Sequence, residues 1–250
     1  LPQFCAPVPL AGSKAAINIT NGYHDEEAVA ALLTQFETNF PALAQKIQIG
    51  STHMGRSIWA LKISDNVATE EPEPRVVIDA NIHAREYATP EIALDIIWQL
   101  LYGYTNNATF ASWVNGMEIY VIPCLNPDGR YCCDTVDTDW RKNGRDNNRS
   151  GTLTYPTDGV DINRNSSFHW GSDNEGSTPT ANSDLYRGPY PASEPEIQAY
   201  DALRASGPAS RSVSTAIWAC STVRMAISPY PCPPPTPSGL SATPSPTSAR

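Results

Sequence analysis

Apolar positions along the chain fall into distinct periods, and the periods predict an order of elements. Over residues 24–40 (HDEEAVAALLTQFETNF) they recur at helical spacing behind an acidic first turn, and Pro41 closes a predicted surface helix. Residues 46–50 and 57–64 alternate around the HMGR turn at 53–56, which predicts a hairpin, followed by a Glu/Pro-rich connection at 70–74. Residues 75–80 (RVVIDA) form a short β-branched strand pattern. Thr89, Pro90 and Glu91 then predict an N-cap, a first-turn proline and a first-turn acid for a helix running to about Tyr102. Residues 117–123 (MEIYVIP) predict the next strand, and Ser193 with Glu196 a capping box opening a helix to about Ala205. Between them, the polar, Gly- and Asn-rich stretch 125–191 is long for a connection and is expected to form functional loops.

From Ser206 the chain changes character. The last 45 residues contain no Asp, Glu, Lys, His, Asn, Gln or Phe and end in a run of prolines, so this tail is expected to be disordered. The expected organisation is an N-terminal extension (1–22), an α/β domain (23–205) and the tail (206–250). No internal repeat is visible.

Charge narrows the function classes. Lys and Arg total 17 against 26 Asp and Glu, a net charge of −9, which disfavours nucleic acid and anionic membrane surfaces as partners. The longest apolar run, 92–102, is short and interrupted by Asp95 and Gln99, so no membrane span is expected, and the chain is read as a soluble monomer. Its start at Leu1 without an initiator Met is taken as a processed, secreted chain. Four sequons at Asn18, Asn107, Asn148 and Asn165 suit that route, as do six cysteines at positions 5, 124, 132, 133, 220 and 232. Six cysteines allow 15 pairings, and the adjacent Cys132 and Cys133 are expected to bond outward rather than to each other.

The chemistry concentrates just beyond the RVVIDA strand. His83 and Glu86 lie three residues apart between a strand and a helix, where open α/β sheets bind ligands, and an imidazole and a carboxylate there can point at one ion. Five motifs follow in order: NIHAREYATPE at 81–91, CLNPDGRY at 124–131, WRKN at 140–143, GVDINRN at 159–165 and YRGPYPASEPE at 186–196. Together they resemble the zinc carboxypeptidases of the M14 family, in particular the carboxypeptidase A, B and T branch, over residues 23–205.

The resemblance implies a mixed β-sheet flanked by helices, incomplete at the C-terminus. It implies Zn2+ held by His83 and Glu86, with Asn163 and Arg164 gripping the free carboxylate of a peptide or protein C-terminus. Arg85 resembles a substrate-contacting arginine, and Arg141 is a further substrate-side candidate. The family's oxyanion arginine falls on Gly144 in an ungapped match, which leaves Arg145 as the candidate for that contact. His169 is read as packing, and His24 and His53 as non-ligands.

Two family features have no counterpart. The third zinc ligand is a His near residues 214–220, which here read STAIWAC, and no histidine follows His169. The general base is a downstream Glu, and no Glu follows Glu196. Either an altered frame, exon or truncation has replaced the family's C-terminal segment, or the chain is a genuine product that retains carboxylate binding without hydrolysis.

Overall fold

The computed structural model describes residues 17–19, 22–206 and 213–216. Four of its strands and three of its helices realise the predicted periods. Helix α1 (Glu26–Asn39) is capped by Asp25, whose carboxylate accepts from Ala28 N, and it buries Val29, Leu32, Leu33 and Phe36 at i, i+3, i+4, i+7 spacing. Strands β1 (Ala44–Ser51) and β2 (Ser57–Ile63) form the expected antiparallel hairpin. Strand β3 (Arg75–Asp79) follows, then α2 (Ala88–Gly103), a short α3 (Ala108–Val114) and β4 (Glu118–Ile122). Helix α4 (Pro127–Thr135) lies inside the stretch expected to be loops; Asn126 caps it through Gly129 N, and Pro127 occupies its first turn. Helix α5 (Pro195–Ala205) precedes β5 (Val213–Ala216).

The sheet order is β1-β2-β4-β3-β5, antiparallel between β1, β2 and β4 and parallel between β4, β3 and β5. Alternation along the strands sorts side chains to two cores. Leu61, Ile63, Ile119 and Val121 face α1 and α2, while Ile58, Ala60, Val77, Tyr120 and Ile122 face α5. Helices therefore cover both faces. Because the chain leaves β3 toward one face and reaches β5 through α5 on the other, a crevice opens at the carboxyl ends of the central strands.

A buried charge network closes the opposite end of the sheet. Glu118 Oε1 lies 2.8 Å from Lys62 Nζ and its Oε2 lies 2.8 Å from Arg75 Nη2, with all three side chains buried. Arg75 Nη1 donates onward to Leu203 O and Ser206 Oγ, which ties the C-terminal end of α5 to β3 with a cation placed where the helix dipole favours one.

Three expectations are corrected. Thr89 is not the cap of α2: its Oγ1 accepts from Asn81 N and donates to Glu86 O, fixing the loop before the helix instead. Ser193 and Glu196 form no capping box, because Ser193 donates to Glu194 Oε1 and Glu196 is drawn inward to Asn143. Val213–Ala216, in the tail expected to be disordered, pairs with β3 in parallel. The rest of the tail, 217–250, lies outside the described residues, as does most of the N-terminal extension.

Cys124, Cys132 and Cys133 carry free thiols. Cys132 and Cys133 pack with Ala84 and Trp140, and Cys133 donates to Thr138 O, so neither shows the outward disulfide expected of it. None of the described helices is long and apolar enough to cross a membrane.

Candidate active site

The loop leaving β3 is built around Asn81, which adopts a left-handed conformation (φ 52°) and donates from Nδ2 to the carbonyls of His83 and Ala84. This bend, with Asn126 Nδ2 donating to Ile82 O, sets His83 in the crevice with its side chain 1% exposed. Its Nδ1 lies 2.9 Å from Glu86 Oε1, while Nε2 lies 3.4 Å from Asp161 Oδ1. Arg141 Nη2 and Nε donate to Asp161 Oδ2 at 2.9 and 3.1 Å, and Asn163 N donates to Oδ1. Burial opposes ionisation of Asp161, but the His83 contact and the Arg141 charge outweigh it and hold its pKa below the usual carboxylate value.

The pair fits a zinc ion. In a tetrahedral site with bonds of about 2.1 Å, neighbouring donor atoms stand about 3.4 Å apart. The 2.9 Å between Nδ1 and Oε1 needs only a small opening to reach that, and Glu86 Oε2 is buried without a hydrogen-bond partner among the described residues. Asp161 behind the ring holds its orientation, as carboxylates behind metal-bound imidazoles do. No third donor joins the pair among the described residues, where the sole grouping of three donor side chains is Asp65, Glu71 and Glu73. Strand β5 runs parallel to β3 with Ala216 level with Asp79, so it ends at the edge of the sheet that presents His83; the sequence there, Ile217 to Cys220, contains no histidine.

The arginines divide by partner. Arg141 is committed to Asp161, the carboxylate behind His83. Arg85 donates to Asp139 O and pairs with Asp184 at 3.2 Å, with its side chain 36% exposed. Arg145 Nη1 lies 3.0 Å from Glu194 Oε1. Gly144 has no room for a side chain, since a Cβ there would stand 2.6 Å from Asp128 Cβ and 2.9 Å from Met54 Sδ. An arginine at 144, where the ungapped match would place it, therefore does not fit this backbone.

Arg164 differs from the others. It forms no ion pair with Asp161 and donates instead to Gly176 O (2.7 Å) and Asn163 O (3.2 Å). With Asn163 it lines a cleft of about 400 Å³ that also takes in Phe168, His169 and Trp170. His169 thus borders the cleft, edge-on to Phe168. A single 3-10 turn, Ile162–Arg164, connects this cleft to Asp161 and hence to His83.

Sequence reasoning missed Asp161 as the support of His83, and it missed a second buried cluster. Glu194 accepts from His53 Nε2 (2.8 Å), Asn143 Nδ2 (2.8 Å), Arg145 and Ser193, while Asn143 Nδ2 also reaches Glu196 Oε2 at 3.1 Å. Both carboxylates are fully buried, and Glu196 Oε1 has no hydrogen-bond partner among the described residues. Burial, with Glu194 adding its charge, pushes the pKa of Glu196 up to about 7. The hydrogen bond to Glu194 raises that of His53 above its ordinary value.

The fold is that of the metallocarboxypeptidases. The family model described as zinc carboxypeptidase matches residues 29–247, and the chain belongs to that family. The match runs past Ala205, where the recognisable motifs end. Among curated relatives, a zinc carboxypeptidase of Saccharothrix mutabilis subsp. capreolus is 40% identical over 60% of this chain and 33% of its own length. Carboxypeptidase B of Astacus astacus is 35% identical over 70% of this chain and 54% of its own. The crystal structure of carboxypeptidase A from Helicoverpa armigera superposes with a TM-score of 0.66 at 28% identity, covering 78% of this chain and 45% of that one. The chain thus spans about a third to a half of the length of these relatives.

Asp161→Asn tests the support of His83. Loss of the carboxylate charge weakens contacts to Arg141 and His83 together, and it is expected to lower the unfolding free energy by about 2 kcal/mol. Urea denaturation reads this directly, and an unshifted midpoint would show that Asp161 holds nothing in place.

Proposed function

We propose that this chain carries the metal-pair and carboxylate-grip half of a secreted, zinc-dependent metallocarboxypeptidase, and that by itself it binds peptide C-termini without hydrolysing them. The observation that carries this reading is Arg164, which lines the cleft with no ion-pair partner among the described residues and stands one 3-10 turn from the residue that backs His83. A guanidinium can take a terminal carboxylate through two parallel hydrogen bonds, and Asn163 beside it supplies an amide. Zinc, when held by His83 and Glu86, would polarise the scissile carbonyl and acidify a bound water. Arg85 and Arg145 remain the candidates for contacting substrate and developing charge, and in the resting chain they pair with Asp184 and Glu194. What supports binding without hydrolysis is that the 250-residue sequence holds no His after His169 to complete the metal pair and no Glu after Glu196 to act as base.

Calorimetry with paired peptides, one ending in a free carboxylate and the other amidated, distinguishes the possibilities. The free form is expected to bind more tightly, and Arg164→Ala to weaken it about a hundredfold, as losing charge-assisted hydrogen bonds predicts. Equal binding of the two peptides would sink the carboxylate grip. Release of the C-terminal residue from a blocked dipeptide, abolished by chelator and restored by zinc, would instead show that hydrolysis is retained.

A further inference from the structure

The sequons at Asn107, Asn148 and Asn165 look alike in sequence and differ sharply in the fold. Asn148 is exposed in the turn between the WRKN and GVDINRN motifs, and its Oδ1 accepts from Ser150 N at 2.8 Å. Asp146 holds the same turn by accepting from Ser150 N and Gly151 N. Asn107 is exposed at the start of α3, and its Oδ1 accepts from Thr109 N at 2.9 Å. In both, the side-chain carbonyl is bonded to the backbone of the sequon's own hydroxyl residue, and Nδ2 makes no hydrogen bond among the described residues.

Asn165 is the opposite case. It is fully buried, and its Nδ2 reaches Arg187 O at 2.9 Å, Tyr190 O at 3.1 Å and Ser193 Oγ at 2.8 Å. Its Oδ1 accepts from Glu194 N at 3.0 Å. These bonds hold the loop that leads into α5.

We propose that Asn107 and Asn148 are N-glycan acceptor sites, and that no molecule modified at Asn165 reaches this fold. The donor is a lipid-linked oligosaccharide of the secretory route. Nδ2 forms a bond to the anomeric carbon as the bond from that carbon to the lipid diphosphate breaks; the diphosphate leaves, and one amide proton passes to a base of the transferring enzyme. Modification leaves Oδ1 intact, so the turn at Asn148 and the cap at Asn107 keep their hydrogen bonds. At Asn165 it would consume a buried donor and require a sugar where no solvent reaches.

The full chain secreted from a eukaryotic host, digested and treated with an amidase that converts glycosylated Asn to Asp in heavy-oxygen water, reports each site by mass. Label is expected at Asn107 and Asn148 and not at Asn165, with Asn107→Gln and Asn148→Gln each removing one glycan. The same digest of the endoplasmic-reticulum fraction reads the two acceptors even when secretion is poor. A bare Asn107 or a bare Asn148 in both fractions overturns the proposal, as does glycan on Asn165 in the secreted protein.

Discussion

Glu118→Gln is expected to lower the unfolding free energy by about 3–5 kcal/mol, the loss that follows when one member of a buried ion network is removed. Among the described residues Glu118 is the sole buried carboxylate between Lys62 and Arg75, each 2.8 Å from it. Without its charge, two cations from the strands on either side of β4 are left with only Glu70, whose side chain is 68% exposed, to offset them. The damage should spread to α5, because Arg75 also holds Leu203 O and Ser206 Oγ. Replacing Lys62, Glu118 and Arg75 together with apolar residues of similar volume is expected to recover most of the loss, since the desolvation cost disappears with the charges. Chemical denaturation of the two variants decides the matter; a single-site loss below about 1 kcal/mol would mean that water or Glu70 already screens the pair.

The second large effect is a fall in stability from mildly acidic to neutral pH. Glu196 is pushed from an ordinary carboxylate value to about 7, so the native state holds a proton that the unfolded chain releases near pH 4.5. Its contribution is complete below that point and is lost as pH rises through about 7, a change of about 3 kcal/mol at 1.36 kcal/mol per pKa unit. His53, also raised, loses its share in the same direction above its ordinary value, and Asp79, which burial pushes to about 6, adds to the slope. Glu194 and Asp161 are held below the usual range, so their contributions are present through this window and vanish only on further acidification. Around Glu196 the charged neighbours are Glu194 at the N-cap of its helix, His53 from the β1–β2 turn and Arg145, which pairs with Glu194. Lys46 of β1 reaches α1 instead. Urea denaturation at pH 5 and pH 8 should show the fall in the parent chain and a much flatter response in Glu196→Gln. Parallel slopes in the two proteins would place the titration elsewhere.

Local signals were legible where the physics is local. The i, i+3, i+4 spacing of Val29, Leu32, Leu33 and Phe36, the alternation along β2 and the apolar stretch of β4 are single-segment patterns, and the structure follows them. His83 and Glu86 sit within one loop, so their juxtaposition could be read from spacing alone. Asp161 could not, because its contact with His83 joins segments separated by the whole of α2, α3, β4 and α4. Asn126-Pro127 was a readable start signal for α4, masked by the polar residues that follow it. The capping box at Ser193 failed for a tertiary reason: Asn143, arriving from the WRKN loop, offers Glu196 a buried amide in place of the backbone N–H of its own helix.

The bracing of His83 by Asp161 and Arg141 means that the protein, rather than the ion, meets the cost of ordering the ligand pair. Metal sites that assemble only on binding make folding depend on the ion, and chelators unfold them. Here the imidazole is already held between Asp161 and Glu86, and the surrounding sheet and helices draw on apolar cores that contain neither side chain. Occupancy and architecture are therefore expected to be separable: removing an ion held by His83 and Glu86 would leave the surrounding frame folded.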